Sequence, residues 1–260
     1  MKQKLTKSEL VFVASMLFGL FFGAGNLIFP IYMGQLAGSS LWIASIGLMI
    51  TGVGLPLLGV TAMGISRSDG LIELSGKVGR GYSVFFTCAL YLTIGPFFAI
   101  PRCATVPFTV AIEPILGENV NTSLILAIFS LVFFVAVLAF SLFPGKILTW
   151  VGKLLNPIFL VFLGILVIAA LIKPMGSIGD VTPTGSYAGN AFIAGFLQGY
   201  DTMDALASLA FGIIVIDVIR GLGIKEPGAV AKNTVKAGVF SCVTMGLIYV
   251  AVAVVGAQSR

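Results

Sequence analysis

The chain has 260 residues, of which 58% are hydrophobic and only 10% charged, and its mean hydropathy is +1.10. Since a soluble domain carries about 25% charged residues, this composition excludes a soluble globular domain and indicates an all-α, polytopic membrane protein. Strand-like alternation of apolar and polar residues is absent, which argues against a β-barrel. The net charge of +5 comes from basic residues dispersed at the ends of apolar runs, a pattern that favours membrane lipid over nucleic acid as the partner.

The residue types exclude several kinds of chemistry. The chain has no histidine, and its 3 cysteines lie in apolar runs without ligand-type spacing. We therefore expect no cofactor, no disulfide and no transition-metal site. An intramembrane aspartyl enzyme would need two carboxylates brought together from separate segments, whereas Asp201 and Asp204 share one short segment. The sequence thus favours a protein that is not an enzyme.

Seven apolar stretches are long enough to cross the hydrocarbon layer, which takes about 20 helical residues. The third and the sixth are so long that they need a tilt, a kink or a break. In chain order the predicted spans are Glu9–Met33, Leu41–Ile65, Tyr82–Ile112, Leu124–Phe143, Ile147–Ile172, Ala188–Ile219 and Val235–Ala257. The polar, glycine-rich loop between the second and third spans, Arg67–Gly81, predicts a small interfacial helix.

The positions of lysine and arginine predict the orientation. With a cytoplasmic N-terminus, the basic residues that flank alternate connections all lie on the cytoplasmic side, as the positive-inside rule requires. These residues are Lys2, Lys4, Lys7, Arg67, Lys77, Arg80, Lys146, Lys153, Arg220, Lys225, Lys232 and Lys236. Only Lys173 and Arg260 fall on the other side, and Arg102 lies within the third span.

The first span is interrupted near its centre by Gly23, Ala24, Gly25 and Asn26. Each glycine costs a helix interior about 1 kcal/mol relative to alanine, and irregular backbone in a bilayer is tolerated only where it is buried in protein or lines a cavity. The segment predicts a broken helix that contributes to a binding site. The alternative is a continuous helix whose glycines allow close packing.

The sixth span has a counterpart in Gly199–Asp204, which follows Gly195 with the same glycine spacing that precedes the first interruption, Gly19 to Gly23. The two spans cross in opposite directions, as an inverted repeat of five helices requires, and paired interrupted helices point to a transporter site. The first repeat then covers about residues 8–172. The start of the second repeat covers about residues 188–257. Because Asp and Thr are strong N-cap residues, we expect a second half-helix starting near Thr202.

Half-helix ends supply the expected chemistry. A helix starting near Asn26 presents free N–H groups to a substrate carboxylate. Free carbonyls at Phe22 and Gly23 suit a small cation, and those near Gln198 and Gly199 suit an ammonium group. The candidate substrate-binding residues are Gly23, Ala24, Gly25, Asn26, Gly199, Tyr200, Thr202 and Asp204, and the candidate gate or pocket residues are Tyr91, Arg102 and Asp201.

Three of these side chains have alternative roles. Asp204 can cap the half-helix, couple a cation or face a substrate amine, and capping requires the fewest assumptions. Arg102, in the outer half of the third span, is either a gate residue, a partner of an intramembrane acid or a side chain that snorkels to the interface. Tyr91 either faces the site or belongs to the packed core.

Five segments resemble the branched-chain amino acid:cation symporters of bacteria, the LIVCS or BrnQ-type family. The resemblance runs through all predicted spans in order, and its main segments are Phe22–Pro30, Thr51–Pro56, Gly95–Arg102, Pro144–Lys146 and Gly199–Asp204. It implies a LeuT-type fold with the first and sixth helices broken. It further implies cation-coupled uptake of leucine, isoleucine and valine, with Na⁺ or H⁺ as the coupling ion, at the bacterial plasma membrane.

Members of that family look like proteins of about twelve spans, whereas this chain has seven. We therefore expect an N-terminal portion of a transporter, truncated towards the C-terminus. The alternative functions are transport of another amino acid or small solute, and a role as a membrane channel or scaffold subunit.

Overall fold

The computed structural model describes residues 2–117, 120–142 and 154–259, and the regular elements within these ranges are helical. The α-helices are α1 (Lys7–Phe21), α2 (Ala24–Ala37), α3 (Leu41–Met49), α4 (Leu55–Ser66), α5 (Leu71–Gly76), α6 (Arg80–Leu92), α7 (Ala99–Pro107), α8 (Thr122–Ser141), α9 (Asn156–Ile172), α10 (Ser186–Tyr200), α11 (Asp204–Gly221) and α12 (Pro227–Gln258). Short π-helical or 3₁₀ segments join several of them, notably Ile50–Gly54 between α3 and α4. Thr93–Phe97, between α6 and α7, contains a kink at Gly95 (φ −79°, ψ −119°), as expected for the long third span.

Five helical stretches of the described chain are long and apolar enough to cross a membrane. They are Ala24–Ser66, Arg80–Ile115, Thr122–Ser141, Ser186–Gly221 and Pro227–Gln258, and Asn156–Ile172 is a shorter apolar helix. The prediction of an all-α chain with several membrane-spanning helices is confirmed, whereas the count of seven spans stays a prediction. The motif Pro144–Lys146, the start of the fifth span and the basic residues Lys146, Lys153 and Arg260 lie outside the described residues.

The first and seventh spans lie side by side and run in the same direction. At their N-terminal ends the amide of Leu5 donates to Asn233 Oδ1 (3.2 Å). Towards their C-terminal ends two glycines allow close approach of the backbones: a Cβ on Gly34 would collide with the Ala253 carbonyl, and one on Gly256 with the Ile31 carbonyl. Small residues at such positions are what close helix packing within lipid requires.

The second and sixth spans form an equivalent parallel pair. A Cβ on Gly47 would collide with the Phe192 carbonyl, and one on Gly195 with the Ala44 carbonyl. Further along, Thr51 donates its hydroxyl to the Phe196 carbonyl (2.7 Å). Exchanging the first span with the sixth and the second with the seventh converts one pair into the other.

These two pairs enclose the core of the protein. Its fully buried side chains include Met16, Leu17, Met33, Leu48 and Tyr249. In contrast, no residue of α8 is buried, although its 20 residues are almost entirely apolar. A helix that is apolar all round and not covered by protein fits a surface that faces lipid.

The N-terminal segment, the loop before α5 and the connection between α11 and α12 lie together at one end of the bundle. Lys2 donates to the Leu222 carbonyl (3.3 Å), Lys77 donates to the Ser66 carbonyl (2.6 Å), and Arg220 pairs with Asp69 (2.9 Å). Thus basic residues from three separate connections lie on one face, and the predicted small helix in Arg67–Gly81 corresponds to α5.

A glycine substitution tests the contact between the second and sixth spans. Gly195→Ala places a methyl group against the Ala44 backbone, so we expect a loss of about 1–3 kcal/mol of stability, measured as a lower thermal unfolding temperature in detergent. Gly189→Ala is the matched control in α10, one residue before the kink at Asn190, because its Cβ would meet nothing within 4 Å. Equal unfolding temperatures for the two variants would contradict the proposed close contact.

Candidate functional site

The first span is interrupted at Phe22 and Gly23, about two residues before the centre of the predicted break, Gly23–Asn26. α1 ends at Phe21, and the two residues that follow, Phe22 (φ −74°, ψ 105°) and Gly23 (φ −120°, ψ −172°), are extended. α2 then begins at Ala24, so Ala24, Gly25 and Asn26 form its first turn. The expected start of a half-helix near Asn26 is therefore corrected to Ala24. Asn26 Oδ1 accepts a hydrogen bond from the Gly23 amide (2.8 Å), which closes this helix end with a local side chain.

The sixth span is interrupted at Asp201–Met203. α10 ends at Tyr200, and α11 begins at Asp204, so the expected start near Thr202 is also corrected by two residues. Met203 lies in the left-handed region (φ 63°, ψ 11°), where a side chain other than glycine costs about 1–2 kcal/mol. Such strain persists only where the surrounding structure imposes it, as it often does at functional sites.

A buried hydrogen-bonded triad joins the two interruptions to the seventh span. Asp204 Oδ2 accepts from Asn26 Nδ2 (2.6 Å) and from the hydroxyl of Tyr249 (2.5 Å). Asn26 Nδ2 also donates to the Tyr249 hydroxyl, which closes the triangle. Each of the three residues is at most 1% exposed. Because buried polar groups are costly when unsatisfied, the triad holds the three spans in one arrangement.

The carboxylate of Asp204 thus serves a tertiary contact. It lies in the first turn of α11, as expected for a helix-capping acid, but the partners of its side chain are Asn26 and Tyr249. The local hydrogen bonds at this turn come from Thr202, whose hydroxyl donates to the Gly199 carbonyl (2.9 Å) and accepts from the Asp204 amide (3.4 Å). The Asp204 side chain makes its hydrogen bonds to other spans, and a capping role through its place in the first turn of α11 stays a prediction.

A cavity of about 320 Å³ lies against both interruptions. This volume is within the range of small-molecule sites. Its walls come from α1, the start of α2, the third span and α11, and they are mostly apolar. The lining residues are Gly19, Leu20, Phe21, Phe22, Gly23, Ala24, Gly25, Asn26, Ile94, Ala99, Ile100, Arg102, Cys103, Thr202, Met203, Asp204, Ala207 and Phe211.

A second cavity of about 300 Å³ lies on the side of the first span that faces α9. It shares Phe22, Gly23 and Ala24 with the first cavity and adds Asn156 and Phe159 from α9. The interruption of the first span is therefore exposed to two cavities. Within the described residues there is no group of three His, Cys, Asp or Glu side chains that could hold a metal ion.

Arg102 connects the two interrupted spans at one edge of the first cavity. Its Nη1 donates to the Asp201 carbonyl in the turn before α11 (3.0 Å). Its guanidinium carbon lies 5.2 Å from the centre of the Phe29 ring on α2, a cation–π geometry. Arg102 is therefore directed into the protein at both contacts, and simple snorkelling to the interface does not describe its position.

Eight of the predicted site residues line the first cavity: Phe22, Gly23, Ala24, Gly25, Asn26, Arg102, Thr202 and Asp204. Four do not. Gly199 packs against Thr51 and Leu48, Tyr200 is 48% exposed beside Phe196, and Tyr91 on α6 is 46% exposed. Asp201 accepts a hydrogen bond from Gln198 at the surface (3.0 Å). Of these four, only Asp201 reaches the site, through its carbonyl contact with Arg102.

The sequence reasoning missed Tyr249 and the apolar walls. Tyr249 lies at i+3 from Gly246 and at i−7 from Gly256, on the face of α12 that carries its buried residues. That spacing was a usable signal, because small residues repeated at helical intervals mark the packed face of a span. Ile94, Ala207 and Phe211 carry no comparable signal, since apolar residues are common on every face of a membrane helix.

Comparison with known proteins identifies relatives of the whole chain. Residues 6–260 match the family described as "Branched-chain amino acid transport protein". The chain is 56% identical to the branched-chain amino acid permease BrnQ of Lactobacillus delbrueckii subsp. lactis and 42% identical to BrnQ of Bacillus subtilis, and each match covers 100% of the chain. It spans 58% of the length of each of these relatives. No solved structure matches the chain.

Removal of the tyrosine hydroxyl tests the triad. In Tyr249→Phe, Asp204 Oδ2 loses one of its two donors, and we expect a loss of about 1–3 kcal/mol of stability, measured by thermal unfolding in detergent. Tyr91→Phe removes the same group from a half-exposed side chain and should leave the unfolding temperature unchanged. Similar effects of the two substitutions would argue against a structural role for the triad.

Proposed function

The chain belongs to the family of branched-chain amino acid transport proteins, and from that premise we propose that it takes part in cation-coupled uptake of leucine, isoleucine and valine by alternating access. The resemblance found in the sequence is confirmed by these matches. The family and the relatives are transport proteins and not enzymes.

The observation that carries the proposal is the cavity between the two interrupted spans. It brings together a helix start at Ala24, a helix end at Phe21 and the buried polar residues Asn26 and Asp204. In the first turn of α2 the Asn26 amide donates to the Gly23 carbonyl (3.1 Å), and the amides of Ala24 and Gly25, which lie before any intrahelical acceptor, favour an anion such as a carboxylate. The apolar side chains of Leu20, Ile94 and Phe211 suit a branched aliphatic side chain.

We assign the substrate site to Gly23, Ala24, Gly25, Asn26, Thr202 and Asp204 within this cavity. Gly199, Tyr200 and Asp201 position it through the turn before α11. The coupling cation, Na⁺ or H⁺, binds near Phe22 and Gly23. That position is supported by the carbonyls at the C-terminal end of α1, which have no intrahelical partner, and by the exposure of both residues to two cavities.

We further propose a LeuT-type fold of two inverted repeats. The first repeat covers about residues 8–172, and the start of the second covers about residues 188–257. The two parallel pairs of spans support this fold. In an inverted repeat of five helices the first span corresponds to the sixth and the second to the seventh, so the pair of first and seventh spans corresponds to the pair of sixth and second spans. Each pair has a matching glycine contact, with Gly34 and Gly256 in one and Gly47 and Gly195 in the other. Inverted repeats with interrupted helices at corresponding positions are the architecture of many secondary transporters.

The location of the cavity supports alternating access. Gly19, Leu20, Ala207 and Phe211 extend the cavity along α1 and α11, towards the end of the bundle that carries the basic residues. Arg102 lies on the opposite side of the interruptions, where it bridges α2 and the turn before α11. We assign the basic end to the cytoplasm and the protein to the bacterial plasma membrane, by the positive-inside rule.

Leucine accumulation driven by an ion gradient tests the function. In proteoliposomes that contain the full-length transporter of which we propose the chain to be the N-terminal portion, we expect saturable accumulation of labelled leucine when a Na⁺ or a pH gradient is imposed alone, and the effective gradient identifies the coupling ion. Counterflow of preloaded leucine should also be seen. A linear, unsaturated flux would instead favour a channel, and accumulation under neither gradient would exclude symport.

A substitution at the start of α2 tests the site. In Gly25→Leu the added Cβ would lie 3.0 Å from the Phe29 ring and 3.4 Å from Arg102 Nη2, and the rest of the side chain must enter the cavity. We expect leucine uptake to fall below about a tenth of the wild-type rate while the protein remains in the membrane.

The matched control is Gly164→Leu on α9, because a Cβ there would meet nothing within 4 Å. This variant should transport leucine as the wild type does. Normal uptake by Gly25→Leu would mean that Gly25 serves ordinary helix packing.

A further inference from the structure

The first cavity contains two opposite charges that are not paired with each other. Arg102 and Asp204 are the charged residues among those that line it. The ion pairs found among the described residues join Lys2 to Glu9 and Arg220 to Asp69 and Asp217, so neither cavity residue takes part in one. Charged side chains at membrane depth normally pair with each other or with backbone carbonyls, and they mark substrate or ion pathways.

The positive end of the cavity combines a side chain with a helix start. Arg102 Nη2 lies 3.4 Å from where a Cβ on Gly25 would stand, which places the guanidinium beside the first turn of α2. Nη1 is occupied by the Asp201 carbonyl, but a guanidinium has five N–H donors. The first amides of α2 add a partial positive charge at the same place. Donors of both kinds therefore converge on one position.

The negative end of the cavity is the Asp204 carboxylate. Its Oδ2 accepts from both Asn26 and Tyr249, and the carboxylate forms no ion pair with a described residue. Asp204 is 1% exposed, so the carboxylate is shielded from bulk water. A buried carboxylate without a cationic partner is costly, and a ligand ammonium group would supply that partner.

We propose that Arg102 and the start of α2 bind the α-carboxylate of the substrate, while the Asp204 carboxylate binds its α-ammonium group. This assignment rests on the proposed function and deepens it: the site takes zwitterionic aliphatic α-amino acids and rejects aliphatic amines and carboxylic acids of the same shape. A ligand with one charge leaves the opposite wall charge without its partner, and buried polar groups left unpaired are the strongest source of discrimination.

The contacts of Arg102 with Asp201 and Phe29 allow a different role, in which the guanidinium only holds α2 and the turn before α11 together. The two roles differ in what a substitution does to ligands that lack a carboxylate. A carboxylate-binding arginine matters only for ligands that have one, whereas a structural arginine matters for every ligand of the cavity.

Competition binding with leucine and two truncated analogues tests the proposal. Isoamylamine is leucine without the carboxylate, and isocaproate is leucine without the ammonium group. On the purified chain in detergent, with labelled leucine as the probe, we expect each analogue to bind at least about tenfold more weakly than leucine. Arg102→Gln should lower the affinity for leucine at least about tenfold and leave the affinity for isoamylamine unchanged. Asp204→Asn should lower the affinity for leucine similarly and leave the affinity for isocaproate unchanged.

Two further variants keep the test interpretable. Arg102→Lys keeps the charge but not the planar fork, so it should bind leucine more tightly than Arg102→Gln does. Arg220→Gln removes an exposed guanidinium at the other end of the bundle and should leave all three affinities unchanged.

Three outcomes would overturn the assignment. If both charge-removing variants bind leucine as the wild type does, Arg102 and Asp204 do not bind the charged groups of leucine, although the proposed function stands. If Arg102→Gln weakens leucine and isoamylamine equally, Arg102 acts through packing. If the wild-type chain does not bind leucine at all, the proposed function itself fails, and this assignment falls with it.

Discussion

The hydrogen-bonded triangle of Asn26, Asp204 and Tyr249 is the contact on which the rest of the site depends. Each member comes from a different span, and all three are buried. In an apolar membrane interior none of these groups can turn to water, so separating the spans leaves an amide, a carboxylate or a hydroxyl unsatisfied. The triangle thereby holds the start of α2 beside the start of α11. Arg102 adds a second connection between the same elements, through the Asp201 carbonyl and the Phe29 ring.

Glycine contacts provide the second constraint. The parallel pair of first and seventh spans and the parallel pair of second and sixth spans both approach so closely that a methyl group would meet backbone atoms. In lipid there is little hydrophobic gain from bringing helices together, so close van der Waals contact takes its place. Each of these two pairs contains one of the interrupted spans. Irregular backbone at Phe22, Gly23 and Met203 is tolerated because this packing surrounds it.

The chemistry of the cavity follows from what the packing leaves unpaired. Most of its wall is apolar, which suits an aliphatic side chain, while Arg102 and Asp204 supply one charge of each sign. Neither charge is neutralised by an ion pair with a described residue. A site of this kind binds most strongly to a molecule that carries both charges, because such a molecule satisfies both walls at once.

The sequence by itself determined the class of protein, the interrupted segments and most of the polar residues at the cavity, because glycine, asparagine and aspartate are conspicuous in apolar runs. It also pointed to the family. Helix ends were misplaced by two residues, since the propensities that favour Asn26 and Thr202 as helix starts are weak beside tertiary contacts. The partners of Asp204, the position of Arg102 and the exclusion of Tyr91 from the cavity were decided only by the tertiary structure. They depend on which helix faces turn towards each other, and in a chain that is apolar on nearly every face the hydrophobic pattern does not specify this.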